Sequence, residues 1–247
     1  MALSSKNTLV TKKQRHQRLN IVVYGVVTLY LALIFYYVHE AQGLFDSFQY
    51  VYKFSLSYLN FLILPLFCVF YTIQAFGIEY RYNTLNQLKL ARADMLKIFW
   101  AKMLYVELRL LSIMLFISIA VSLFSLFTRF SSTVNLTLIW RFVYLSLASG
   151  VLMALSVFPL VALVLVRERG KEILGNLVGV LYVLVSFFLA KTTPNVSPIT
   201  SANSLIWIAN VEGVVVPEPA VVSGVILLLY FTILSCLTLY YWLRKVG

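Results

Sequence analysis

Apolar residues in this chain come in long unbroken runs, not in the alternating pattern of half-buried strands. Six predominantly apolar stretches carry no charge over 18 residues or more: 20–38, 54–78, 110–127, 142–166, 173–190 and 221–243. A helix needs about 20 apolar residues to cross the hydrocarbon of a bilayer, so each run predicts a membrane-spanning helix. Continuous runs also argue against a transmembrane β-barrel, whose strands alternate. The predicted fold class is an all-α integral membrane protein with six transmembrane helices. The whole chain, 1–247, reads as one transmembrane domain. Residues 1–19 are a basic interfacial head, and the first run after it is too long for a signal-peptide core. It is expected to remain as a membrane helix.

The polar intervals between the runs are unequal in charge. Sixteen of the 20 Lys and Arg residues fall at the N-terminus, in 81–109, in 167–171 and in the tail; Lys53, Arg129, Arg141 and Lys191 fall in the other intervals. The positive-inside rule then predicts both termini in the cytoplasm. The net charge of +11 is on this reading a topology signal, not a nucleic-acid footprint, because the basic residues flank membrane segments. Tyr36, Tyr37, Tyr240, Tyr241 and Trp242 sit where interfacial aromatics are expected. Cys68 and Cys236 read as small core residues.

Details within the runs predict packing. Pro159 is expected to kink the fourth helix unless neighbours compensate. Ser146, Gly150 and Ala154 share one face of it, and Gly175 and Gly179 form a GxxxG in the fifth; small residues at this spacing let helices approach closely in lipid. For the glycine pair both a protomer interface and packing within the chain are open. The interval 191–220 contains SLIWIAN, too short to span and too apolar for a surface loop. It predicts a re-entrant hairpin on the outer side, between the fifth and sixth helices.

Catalytic constellations are missing. His16 and His39 fall on opposite sides of the predicted membrane, so neither a His-rich metal site nor a Ser/Cys–His pair can be assembled. Gly170-Lys171 lacks the earlier glycine of a P-loop, since position 165 is leucine. The chain is read as a non-enzyme without cofactor or ATP site of its own. Glu107 and Arg109 are the charges nearest a membrane interior, close enough to the predicted interface to snorkel.

The stretch EYRYNTLNQLKLARADMLKIFWAKM, 79–103, is more structured than a connecting loop requires. Residues 84–90 predict a short helix with Leu85 and Leu88 on one face. Asp94 predicts the N-cap of a new helix running into the third span. In this register the segment resembles the cytoplasmic segment between the second and third helices of ABC type-2 exporter permeases. Glu79 matches that pattern's acidic position, Thr84-Leu85 its Thr-Leu and Leu88 its following leucine. Asp94 stands at the capping Ser/Thr and Lys102 at the closing lysine. Asn83 replaces a glycine and Arg92 a proline; asparagine tolerates left-handed backbone, so the first change is mild.

The resemblance implies six spans with both termini inside and an outer hairpin between the last two. It implies that 79–102, Arg81 included, holds a coupling helix docked on a separate P-loop ATPase subunit. Two copies of that subunit would hold ATP and Mg, and a second permease chain, identical or related, would complete the assembly. Arg167, Glu168 and Arg169 would be a second contact, or simply a solvated basic loop. Gly175 and Gly179 would lie near the path between protomers. The implied function is export of an amphipathic or lipid-like cargo: peptide, drug or lipid-linked glycan. An ATP-independent carrier, channel or scaffold is the alternative.

Overall fold

A computed structural model describes residues 2–40, 47–81, 94–168, 171–192, 197–210 and 218–246. Helices account for nearly all of them, and no strand occurs among the described residues. In chain order they are α1 (Ala2–Glu40), α2 (Phe48–Tyr58), a π-helical turn (Leu59–Ile63), α3 (Leu64–Arg81), α4 (Met95–Leu126), α5 (Leu136–Arg167), α6 (Glu172–Thr192), α7 (Pro198–Asn210) and α8 (Glu218–Val246). Among the described residues, six segments are long and apolar enough to cross a membrane: Arg18–Glu40, Phe48–Gly77, Leu96–Leu126, Leu136–Arg167, Glu172–Leu189 and Val221–Arg244.

The helices overrun the uncharged stretches. The second begins at Phe48 and the fourth at Leu136, so Lys53 and Arg141 lie on helices instead of in loops. Length explains this. A 32-residue helix such as α5 is about 48 Å long, against a hydrocarbon thickness of about 30 Å. Charge ends an apolar run but not a helix, whose backbone hydrogen bonds continue past Lys53 and Arg141.

The chain forms two compact units, Met1–Ser55 with Phe116–Val134, and Leu56–Leu115 with Asn135–Gly247. In the first unit Val23, Val27, Leu31, Ile34 and Val38 make one buried stripe along α1. Phe35 stacks on Phe124 at 4.0 Å between ring centroids, and the Tyr30 hydroxyl donates to the Ser55 carbonyl at 2.5 Å. Arg129 donates to the Val38 carbonyl at 3.0 Å, satisfying an end of α1. The opposite face of α1 shows Ile21, Val22, Leu29 and Leu33, as expected of a helix apolar all round in lipid.

In the second unit α5 is the central helix, packed on α3, α6, α7 and α8. Its apolar window is 67% buried, against 22% for those of α6 and α8. Asn135 caps its start by accepting from the Thr137 amide. Pro159 stays inside the helix without ending it. Proline cannot donate to the carbonyl one turn back, and its ring crowds that turn. The carbonyl it leaves without an amide is that of Leu155; one residue on, the Tyr182 hydroxyl of α6 donates to the Ser156 carbonyl at 3.2 Å and ties α6 to this turn.

A second proline has a larger effect. In the π-helical turn the Leu64 amide donates to Leu59, five residues back. Continuing that register needs an amide at position 65, which is Pro65. The carbonyl of Asn60 is therefore released inside the protein. Asn203, from α7, donates its side-chain amide to it at 3.5 Å. The side chain of Asn60 donates to the Ser149 hydroxyl of α5 at 3.0 Å, and Ser149 donates on to the Leu145 carbonyl. Three segments meet at this junction.

Helix α7 is buried on every side over its first two turns. It starts with a self-contained cap: the Ser197 amide donates to the Thr200 hydroxyl, the Ser201 amide to the Ser197 carbonyl, and Pro198 takes the first helical position, where no amide is needed. Ser197 also shares a 2.6 Å hydrogen bond with Ser186 of α6.

Two expectations need correction. Trp242 is not an interfacial aromatic; it is 1% exposed, whereas Tyr240 is 56% exposed. Cys236 is exposed on α8 while Cys68 is buried as expected.

Gly175 and Gly179 lie where α6 crosses α3 and α5. A Cβ on Gly175 would meet Leu165 at 2.8 Å, and one on Gly179 would meet Val69 at 2.5 Å and Val161 at 3.3 Å. Gly224 on α8 has nothing within 4 Å of the same position. Gly179→Ala is therefore expected to force α6 outward and lower the thermal midpoint in detergent by several degrees. Gly224→Ala should leave it unchanged or raise it, since alanine is the better helix former. Thermal scans of the two variants check this.

Candidate functional site: the helix ends around residues 77–102 and 166–172

The sequence singled out the segment between the second and third spans, and the structure places its two edges. At the first edge, α3 runs to Arg81, with Glu79 inside it. At the second, α4 begins at Met95 behind Asp94. Asn83, Thr84, Leu85, Leu88 and Arg92 lie outside the described residues, as does Arg169.

Asp94 is the cap of α4. Its Oδ1 accepts from the amides of Leu96 at 3.0 Å and Lys97 at 3.4 Å, and the Lys97 ammonium lies 3.5 Å from Oδ2. A carboxylate at a helix N-terminus satisfies orphan amides and faces the positive end of the helix dipole. The Lys97 amide above all, then the Leu96 amide and the Lys97 charge, hold the Asp94 carboxyl below the usual carboxylate range.

Lys102 sits two turns into α4. Its ammonium donates to the Ala75 carbonyl of α3. The same nitrogen lies 4.7 Å from the ring centre of Phe76 and 5.7 Å from that of Trp242. Phe76, Phe99, Phe158 and Trp242 form one cluster, with centroids 5.1 Å apart for Phe76–Trp242 and 5.6 Å for Phe99–Phe158. Edge and tilted contacts of this kind add about 0.5–1.5 kcal/mol each beyond burial, and a half-buried cation over a ring adds about 1 kcal/mol. Trp100 meets Phe231 at 6.5 Å, a second link from α4 to α8.

The connection from α5 to α6 reaches the same end of α3. Tyr80 donates to the Val166 carbonyl at 3.4 Å. Glu172 packs so closely on Gly77 that a Cβ there would meet its Oε1 at 2.5 Å. Glu168 lies 4.0 Å from Arg167 and 3.8 Å from Lys171. These pairs are largely exposed and contribute little stability. Arg167 in the last turn of α5 and Glu172 in the first turn of α6 both suit their helix dipoles. Glu172 and Gly77 thus bring two sequence-distant intervals to one place.

Glu107 and Arg109 lie one to two turns further along α4 and are half-buried. The Arg109 guanidinium is 5.3 Å from the Tyr105 ring, and Tyr105 donates to Gln74 of α3 at 3.3 Å.

A family model described as ABC-2 family transporter protein matches residues 10–186. The chain belongs to this family. No curated protein and no solved structure matches it. As an ABC-2 family member with six apolar helices it is an integral, multi-pass membrane protein and a transporter permease. Sequence reasoning missed Phe76 as a partner of Lys102 and Phe99 and Phe158 as members of the ring cluster beside it, and read Trp242 as an interfacial aromatic. Spacing along one helix carries no sign of a contact made by a helix 140 residues away.

The cap yields a test with a definite sign. Because the folded Asp94 value lies below the unfolded one, its stabilisation is complete above the ordinary value of 3.8 and is lost as pH falls through the lower folded value. At neutral pH, Asp94→Ala should speed hydrogen exchange at the amides of Leu96 and Lys97, while Asp94→Asn keeps them protected. As pH is lowered through 3.8 and below, protection should fall in the wild type and hold in Asp94→Asn, once intrinsic rates are divided out.

Proposed function

We propose that this permease is the membrane subunit of an ATP-driven exporter. Two such chains, identical or related, enclose a path for an amphipathic or lipid-like cargo. Two copies of a separate P-loop ATPase subunit bind ATP and Mg and supply the work. Both termini face the cytoplasm, in keeping with the charge bias, and the membrane is the bacterial cytoplasmic membrane.

Residues 79–102 act as the coupling segment. Leu85 and Leu88 offer the apolar face that the ATPase grips, Thr84 and Arg92 flank it, and Asp94 fixes where the following helix starts. Arg167, Glu168 and Arg169 form the second contact. Helix α7 belongs to a re-entrant hairpin on the far side. Gly175 and Gly179 draw α6 against α3 and α5, so that the remaining face of α6, with Leu177, Leu181 and Phe188 exposed, is left for the partner protomer.

The observation that carries this reading is the convergence on α3. Tyr80 holds Val166, and Glu172 seats on Gly77, just before the segment leaves the helix. A displacement of residues 79–102 would therefore act directly on α3 and on the α5–α6 connection. Membership in the ABC-2 family supports the same division of labour.

Co-purification tests it. An ATPase co-expressed with the tagged chain should be recovered with the wild type. Leu88→Asp would place a carboxylate in the apolar contact, and recovery should fall at least about tenfold, the loss expected for about 1.4 kcal/mol of binding. Retention of the ATPase and of coupled hydrolysis by Leu88→Asp would instead identify an ATP-independent carrier, channel or scaffold.

A further inference from the structure

Lys102 has the position of a docking residue and the surroundings of an internal one. Its ammonium faces inward, to the Ala75 carbonyl and the rings of Phe76 and Trp242. Ala75 and Phe76 lie on α3, Lys102 on α4 and Trp242 near the end of α8. Residues 82–93 thus leave from α3 and return to α4 next to one contact that also holds the last helix. Trp242 is also beyond the stretch matched by the family, so its part in the contact is read from this chain alone.

We propose that Lys102 is a positioning residue that joins the coupling segment to the sixth span. It ties α3, α4 and α8 at one point, so that a movement of residues 79–102 is passed to α8 and not only to the two helices it connects. A lysine suits this task. Its charge sits at the tip of a flexible stem and can hold a carbonyl and two ring faces together. Phe99 and Phe158 close the cluster around it and bring in α5. The inference rests on the reading that an ATPase acts on residues 79–102.

Hydrogen exchange with mass spectrometry on the intact complex separates the outcomes. The permease with its co-purified ATPase is compared without nucleotide and trapped with ATP and vanadate. In the wild type, trapping should change exchange both in 95–105 and in 238–246. In Lys102→Met the change in 95–105 should persist and that in 238–246 should be lost, with ATPase recovery unchanged. Lys102→Arg keeps the charge and should retain both. Trp242→Leu, on the other side of the same contact, should lose the 238–246 response as Lys102→Met does.

If either Lys102→Met or Trp242→Leu keeps the response in 238–246, the inference is wrong while the exporter reading stands. Loss of ATPase recovery in Lys102→Met would make Lys102 a docking contact and would also overturn it. If no ATPase accompanies the wild-type chain, the exporter reading fails and takes this inference with it.

Discussion

Pro65 has no amide hydrogen to give, and much of the second unit is arranged around that fact. Within hydrocarbon there is no water to accept the burden of an unpaired carbonyl, so each released group must be met by protein. The π-helical turn and Pro65 release the Asn60 carbonyl, and a side chain 143 residues away in sequence takes it up. The Asn60 side chain reaches in the opposite direction, to Ser149. A single backbone irregularity thus locates α5 and α7 against the second span. Pi-helical turns are rare and concentrate at functional sites. Beside Pro159 the same unit adds a tie of another kind, the Tyr182 hydroxyl of the neighbouring helix donating to the Ser156 carbonyl.

Close approach in this unit comes from small residues. Gly179 lets Val69 and Val161 into the space a Cβ would fill, and Gly150 does the same for Leu111 at 3.2 Å. Between lipid-soluble helices there is little hydrophobic gain on association, so tight contact and satisfied polar groups must hold them. The second unit uses both: glycine where α6 crosses its neighbours, amides and hydroxyls where α3, α5 and α7 meet. At the end that carries residues 77–102 the means change to aromatic rings and one lysine.

The spans were legible in sequence because hydrocarbon thickness is a one-dimensional constraint. An uncharged run of sufficient length has few other uses. Helix ends were less legible: Lys53 and Arg141 stop a hydropathy run but do not stop a helix. Asp94 as a cap could be read locally, since the cap and the amides it serves lie within three residues. Trp242 was misread for the complementary reason. A tryptophan near the end of a span belongs by default at the lipid interface, and only its neighbours from α3 and α4 place it inside. Asn60 and Asn203 gave a faint signal, as amides in otherwise apolar stretches, but nothing in their spacing pairs them. The coupling role proposed for Leu85 and Leu88 rests on sequence pattern and family membership.

The chemistry of the junction at Asn60 has an electrical consequence. Its members are amides, hydroxyls and carbonyls, none bearing formal charge. A membrane potential does work of about 2.3 kcal/mol per elementary charge per 100 mV, and on a neutral junction that product is zero. Whatever rearranges these three segments moves no formal charge of this junction through the transmembrane field.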